Sequence, residues 1–524
     1  MDILGGHYMN TQYSDKESNI DVLLVNPPSP IRCRYKAEHL GMGYLTAVLQ
    51  KENFRVKIID APLKDLSIRE AVKEILKTKV SLIIGFSVIT PEAFYVVIEI
   101  MSFLALAKVS VCICLGGYFP TFWFREILRS FKDVDFVVLS EGEITFLELV
   151  TALHNGGDIK EVKGIAYRRN GNIILNQPRP LIKDLDELPF PNRDTIERVI
   201  REDYPVAIYS SRGCRHSCTF CQISNFYRLC PGPGWRARSP ANIVNEIEFL
   251  NSNWGVKSFL FVDDAFLDIT KESRTRVHKI ATEIIRRKLK IRFAIQCRPD
   301  AVEKKTFRIL KEAGLYLAFL GIESGIEKSL NYFRKGIGLN QVRNSIRILT
   351  ELGIEINAGF ILSDPNTTWE ELRENIKFLK EVREAIPIEL YTLKVLKGTE
   401  LENILCKENR LLKKGFYLGF YTNDPKVELF QRIIGDYGRS GLSAEVVLKF
   451  YKILFSIGNS KNLLEEKGKK KKVKIIAESI KDVYLFFLEE LIKQIDEGSL
   501  KEISSLFSKL SGKFQQISKK IEGI

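Results

Sequence analysis

Apolar residues in the first 155 positions fall into short, nearly continuous runs separated by amphipathic stretches. Residues 20–25, 56–60, 82–87, 109–115 and 134–139 are dense in Val, Ile and Leu, as strands buried on both faces are. Between them, 40–53, 68–77, 92–106 and 122–131 carry apolar residues at helical spacing. This alternation predicts an open, doubly wound parallel sheet. Each strand runs into a small, polar or turn-forming segment: Asn26-Pro27-Pro28, Asp60-Ala61-Pro62, Ser87 to Thr90, Gly116-Gly117 and Ser140 to Glu143. Ligands of such sheets sit beyond the carboxyl ends of the strands, so these five turns predict a binding rim.

The pattern then changes. Residues 164–168 and 172–175 flank Asn170-Gly171 and predict a hairpin. Residues 177–194 hold four prolines and read as an interdomain linker. From Pro205 a second series starts, with strands expected at 206–210, 258–262, 292–297, 316–321, 355–361 and 390–396. Helices are expected at 240–253, 271–288, 302–313, 340–352 and 368–385. Six such units predict a partial (β/α)6 barrel with its chemistry at the strands' carboxyl ends. Beyond residue 400 helical patterns with strong apolar faces take over, notably 446–457 and 475–495. The expected plan is an extension (1–19), a sheet domain (20–155), a hairpin and linker (156–204), a barrel (205–400) and a helical C-terminal domain (401–524).

A length of 524 residues suits several domains, and 45% hydrophobic with 27% charged residues suits a globular chain. No apolar run is long enough for a membrane helix, and the N-terminus lacks the basic and apolar regions of a secretory signal. A cytoplasmic location is expected. The net charge of +14 is spread along the chain, and even the lysine run 469–472 sits in a tail where acidic residues offset most of it. That is the mark of a solvated surface, and no nucleic-acid partner is expected.

Nine cysteines are too few for a disulfide scaffold, but three of them are close together. Cys214, Cys218 and Cys221 form C-x3-C-x2-C directly after the first barrel strand. Thiolates so placed can wrap one iron–sulfur cluster, and three ligands leave a fourth iron open to an exogenous molecule. The alternative is zinc, with His216 or Cys230 as fourth ligand, although zinc sites usually set a second pair farther on.

C-x3-C-x-aromatic-C after the first strand of a six-unit barrel resembles the signature of radical S-adenosylmethionine enzymes. A Rossmann-like N-terminal domain with these turns, followed by Leu188-Pro189-Phe190-Pro191, looks like their cobalamin-binding subgroup. The resemblance implies three cofactors: a 4Fe–4S cluster on Cys214, Cys218 and Cys221, S-adenosylmethionine on its open iron, and cobalamin. Phe220 would pack beside the adenine. Asp263 and Asp264 end the second strand, where the family meets the methionine amino group; they would equally cap a loop. Glu323 and Ser324 lie in Gly321-Ile322-Glu323-Ser324-Gly325, which matches the fourth-strand motif, and Gly359 lies in the fifth-strand motif; Glu323 would equally be a buried, paired carboxylate. Arg298 suits the carboxylate of S-adenosylmethionine by bidentate pairing, or holds a neighbouring loop. Cobalamin contacts fall on Ser87, Thr90, Gly116, Gly117, Glu141 and Gly142. The Asp-x-His-x-x-Gly pattern, whose histidine sits below cobalt, is missing, and His39 reads as a helix start.

The implied reaction is methylation of an unactivated carbon, or a phosphorus, in a small molecule or peptide, with an electron donor such as flavodoxin or ferredoxin. A cyclase or rearrangement enzyme without methyl transfer is the alternative. A methylthiotransferase would need a second cysteine set from Cys33, Cys112 and Cys114, of which Cys112 and Cys114 read as core residues on one strand. A non-catalytic cobalamin-binding regulator would have no use for the open cluster. No catalytic side chain stands out, and the substrate has no motif.

Overall fold

The computed structural model describes residues 19–29, 36–385, 390, 392–457, 463–499 and 503–522. Seven strands form the first sheet: β1 (Ile20–Asn26), β2 (Val56–Asp60), β3 (Val80–Ser87), β4 (Cys112–Gly116), β5 (Phe136–Val138), β6 (Ile165–Arg169) and β7 (Asn172–Leu175). Their order is β2-β1-β3-β4-β5-β6-β7, with β1 to β5 parallel. Val25, Ile84 and Phe86 pack against helices on one face, and Val22, Leu24 and Ile83 against helices on the other. Both faces are buried, hence the unbroken apolar runs. The hairpin expected beside the linker belongs to this sheet: β6 runs antiparallel to β5, and β7 to β6. Without it β5 would be an unpaired edge.

The second sheet uses β8 (Val206–Ile208), then, after the short antiparallel ribbon of β9 (Ser211–Gly213) and β10 (Trp235–Ala237), β11 (Ser258–Phe261), β12 (Arg292–Cys297), β13 (Leu315–Glu323) and β14 (Glu355–Phe360). Its order is β14-β13-β12-β11-β8, all parallel. The sixth strand expected at 390–396 is a correction. Among its described residues only Val395 makes a β-bridge, antiparallel to Leu418, while Tyr391 lies outside the described residues.

Leu418 belongs to a hairpin that the sequence pattern did not reveal, β15 (Leu411–Lys414) and β16 (Tyr417–Phe420). Its turn carries Phe416 into the first domain, with ring centroids 4.9 Å from Phe94 and 5.1 Å from Trp123. The helices Pro425–Ser440, Ala444–Ser456, Leu463–Glu497 and Ile503–Glu522 follow. They share one hydrophobic core with the barrel rather than enclosing their own. Asn357 of β14 donates to Tyr451 Oη at 2.8 Å, and Arg292 of β12 to the Leu454 carbonyl at 2.9 Å. No described helix is long and apolar enough to cross a membrane.

The proline-rich segment is packed rather than free. Leu185 and Leu188 sit in a core with Leu40 and Tyr44 of the first domain and Ala207 of β8. Arg193 donates to Glu38 of the first domain at 2.7 Å and to Glu246 of a barrel helix at 2.8 Å.

Candidate functional site

The ribbon that launches the cysteine loop is drawn tight. Gly213 has φ +82°, and a Cβ there would lie 1.8 Å from the Gly234 carbonyl oxygen, so only glycine fits. Its N–H donates to Asp264 Oδ2 at 2.9 Å. Farther on, Thr219 N–H donates to the Phe333 carbonyl and Gln222 Nε2 to the Lys397 carbonyl, tying the loop to both sides of the barrel mouth. Cys214, Cys218 and Cys221 form no disulfide and are half-buried. Burial raises Cys214 and pushes Cys221 up to about 12, so in the metal-free loop these two thiols are protonated and loading must release their protons. No trio of cysteine, histidine or carboxylate groups among the described residues converges on a single ion. A cluster that takes one thiolate on each of three irons needs three corners rather than one point, and this loop supplies three thiols.

Beside the loop lies the lumen end of β13. Glu323 has a left-handed backbone (φ 69°), a strained state for a non-glycine residue, and its carboxylate accepts from Lys335 Nζ at 2.8 Å. Lys335 is only 6% exposed. Gly321 and Gly359 pair across β13 and β14, and a Cβ on Gly321 would lie 2.8 Å from Glu323 Oε1. Arg298 Nη1 and His216 Nε2 are buried without a partner at this same mouth.

A cavity of about 230 Å³ opens across the strand ends of the first sheet. Ser87, Gly116, Gly117, Glu141 and Gly142 line it from one side, and Tyr209, Arg212 and Tyr227 from the barrel side. The missing Cβ atoms make the cradle. Gly117 has φ +109°, and a Cβ there would meet the Val88 carbonyl oxygen at 2.5 Å. Ser140, also lining the cavity, has φ 60°. Tyr118 follows the glycine pair and packs against Phe226 with the rings tilted, centroids 4.3 Å apart. Burial raises its phenol well above the ordinary value, with the charge of Asp264 adding to the effect. Arg212, two residues before Cys214, lines the same cavity, so the cavity and the cysteine loop are neighbours.

A model of the radical SAM superfamily matches residues 208–379, and one of the B12 binding domain matches residues 31–150. The chain is 30% identical over 416 residues to the uncharacterized methyltransferase PH0819 of Pyrococcus horikoshii, covering 78% of this chain and 88% of that protein. It belongs to the cobalamin-dependent radical SAM family. Similarity extends to the anaerobic magnesium-protoporphyrin IX monomethyl ester cyclase of Synechocystis, with 30% identity over 71% of this chain and 74% of that protein. The cytidylyl-2-hydroxyethylphosphonate methyltransferase of Streptomyces wedmorensis is 25% identical over 66% and 73% of the two chains. The fold matches the cobalamin-dependent radical enzyme OxsB with aqua-cobalamin bound, at a TM-score of 0.73 and 19% identity over 96% of this chain and 81% of that one. As a member of the cobalamin-dependent radical SAM family, the chain uses a 4Fe–4S cluster, S-adenosylmethionine and cobalamin, and needs a reductant.

Several residues singled out for these cofactors in this radical SAM chain have other partners. Thr90 is exposed, caps the helix Pro91–Leu106 through Ala93 N–H, and does not line the cavity. Asp263 is buried, its carboxylate taken by Ser210 N–H and the Ser210 and Ser211 hydroxyls, so it braces the turn after β8. Ser324 is buried against Asn375 and accepts from Ile326 N–H. Arg298 directs its bidentate face at Asp300, at 3.0 and 2.9 Å, leaving Nη1 alone for another acceptor. Glu141 lines the cavity, yet Arg212 and Arg236 hold its carboxylate at 3.1 and 2.8 Å. Burial opposes its charge, but those two cations outweigh burial and lower its pKa. Phe220 packs edge-on against Phe333, 5.2 Å away. Asp264, Glu323 and Gly359 stay at the barrel mouth; burial pushes Asp264 up to about 6.

His39 caps the helix Leu40–Lys51, as a helix start should. Cys112 and Cys114 lie on β4, with Cys114 buried in the sheet core and Cys112 packed against it, while Cys33 lies outside the described residues. Lys335, Arg212 and the tyrosines 118, 209 and 227 escaped the sequence reading. Arg212 had a signal, a charge two residues before the first cysteine of the loop; Lys335 had none.

Proposed function

We propose that this chain is a radical methylase acting on an unactivated carbon, or a phosphorus, of a small molecule or peptide. Cys214, Cys218 and Cys221 hold the cluster, and the rim of Ser87, Gly116, Gly117 and Gly142 holds cobalamin. One observation carries the reading: Tyr209, Arg212 and Tyr227, which flank the cysteine loop, line the same cavity as that rim. A cofactor cradled by the rim therefore faces the mouth of the barrel. When bound, the cluster with S-adenosylmethionine supplies a carbon-centred radical and cobalamin supplies a methyl group.

The chain's own task is positioning. Lys335 Nζ and the free Arg298 Nη1 are two cationic donors for the carboxylate of S-adenosylmethionine, and Glu323 and Asp264 accept from its amino group. Phe220 and Phe333 keep water from the loop. An acidic one-electron carrier, flavodoxin or ferredoxin, supplies the reductant. The methyltransferase names of the Pyrococcus and Streptomyces relatives support methyl transfer. The Synechocystis cyclase, also 30% identical but over 71% of this chain rather than 78%, supports a second reading, ring formation without a methyl group.

Product stoichiometry separates the two. A methylase cleaves one S-adenosylmethionine to 5′-deoxyadenosine and demethylates another to S-adenosylhomocysteine, so the two nucleosides appear in equal amounts as product gains the mass of a methylene. Product formed with 5′-deoxyadenosine but without S-adenosylhomocysteine would make the chain a cyclase or rearrangement enzyme.

A further inference from the structure

His39 lines the cavity, where an imidazole invites assignment as a metal ligand. Its hydrogen bonds argue otherwise. Nδ1 accepts the Met42 N–H at 3.2 Å. A backbone N–H can only donate, so Nδ1 carries a lone pair and no proton. Burial lowers the ring's pKa, which keeps it neutral and leaves its single proton on Nε2. Nε2 lies 2.7 Å from Ser87 Oγ. With Nε2 donating, the serine oxygen accepts, and the hydroxyl proton must point elsewhere. Ser87 lines the same cavity. The ring is wedged in this pose: a Cβ on Gly41 would lie 3.2 Å from His39 Cε1, so glycine there leaves it room. Asp60 is buried nearby and accepts from Asn26 Nδ2 at 2.8 Å and from Leu63 N–H, which fixes the end of β2 beside the ring.

We infer that His39 is a positioning residue and not a cobalt ligand: it turns the Ser87 hydroxyl into the cavity, where that hydroxyl donates a hydrogen bond to bound cobalamin. This rests on the cavity being the corrinoid site. To ligate a metal, Nε2 would have to lose its proton and its bond to Ser87 while Nδ1 gave up the cap of a helix. The same geometry explains how the rim can do without the Asp-x-His-x-x-Gly pattern. In that pattern a histidine offers a lone pair, whereas this histidine offers a proton and passes the donor role to a serine one strand away.

The test is to load wild type, His39→Ala, His39→Gln and Ser87→Ala with cob(II)alamin. Each is followed by electron paramagnetic resonance and by spectral titration of cobalamin affinity. Wild type should show no nitrogen splitting that responds to labelling histidine with the heavy nitrogen isotope, and His39→Ala should leave the cobalt signal unchanged. Loss of one hydrogen bond should weaken cobalamin binding about five- to tenfold in Ser87→Ala. His39→Ala should weaken it similarly, and His39→Gln, whose amide N–H can still donate to Ser87, should recover much of the loss. A label-sensitive splitting that vanishes in His39→Ala would make His39 the ligand and overturn the inference, as would a Ser87→Ala protein that binds cobalamin as tightly as wild type. Wild type that binds no cobalamin would remove the reading of the cavity together with the role of His39.

Discussion

Arg193 and Glu38 meet across the boundary between the two sheets, Nη1 to Oε2 at 2.7 Å, with side chains only 5% and 4% exposed. Arg193 also pairs with Glu246 and donates to the Ala207 carbonyl, so one guanidinium joins the first domain, the proline-rich segment and the barrel. Removing one partner of a buried pair leaves an uncompensated charge. Arg193→Ala strands the Glu38 carboxylate, whereas Glu246 keeps its pairing with Arg238, and should cost about 3–5 kcal/mol, read as a lower urea midpoint. Adding Glu38→Gln to that variant should recover part of the loss, with Glu246 left in place because it offsets Arg238. No recovery would mean that the Glu38 charge is not what Arg193 offsets.

Gly213→Ala tests the ribbon that carries the cysteine loop. With a Cβ driven to 1.8 Å from the Gly234 oxygen, β9 and β10 cannot keep their register. All three cysteines remain, yet iron and sulfide content after reconstitution should fall severalfold. Full iron and sulfide would show that the loop assembles without the ribbon.

Changing Cys214, Cys218 and Cys221 together to Ala should abolish iron–sulfur absorbance and 5′-deoxyadenosine formation. Because the first sheet has its own cores, cobalamin binding should survive in the same preparation. A triple variant with wild-type iron content would refute the ligand assignment.

Asp264 gives a pH dependence whose sign is fixed. Burial raises its carboxyl from 3.8 to about 6, so the stability it contributes is present below about pH 4 and is lost as pH rises through about 6. At about pH 8 the buried charge costs about 3 kcal/mol in the metal-free chain. Asn at this position can still accept the Gly213 N–H and never ionises. Metal-free Asp264→Asn should therefore unfold at a higher urea concentration than wild type at about pH 8, with the gap closing toward about pH 4. A gap independent of pH would contradict the burial argument.

The first sheet was legible because strands buried on both faces are written as unbroken apolar runs: β2 matches its expected span, and β1 extends it by one residue. The hairpin's turn was legible in Asn170-Gly171, but its attachment to β5 was not, since an edge pairing depends on residues far along the chain. The run at 390–396 has a strand's composition, yet Val395 pairs with Leu418 instead of β14, a choice that local pattern does not encode. The same limit governs the site. The cysteine spacing is local and readable, whereas the choice between a cofactor contact and a loop brace at Asp263 was not, because the hydroxyls that hold its carboxylate, on Ser210 and Ser211, lie more than fifty positions away. Lys335 became visible only when β13 and the turn beyond it set its amine against Glu323.

Phe416 gives the chain's path a further meaning. Having left the first domain and traversed the barrel, the polypeptide comes back and anchors an aromatic ring among Phe94, Phe119, Trp123 and Phe131. The backbone is thus joined to the first domain at both ends of the barrel, like a handle fixed at two points. Separating the two halves would require releasing both attachments at once, so their mutual orientation is set when the protein folds and not at each catalytic cycle. The encounter that two freely tethered domains would have to find by diffusion is already made here, and its entropic cost is met before any substrate arrives.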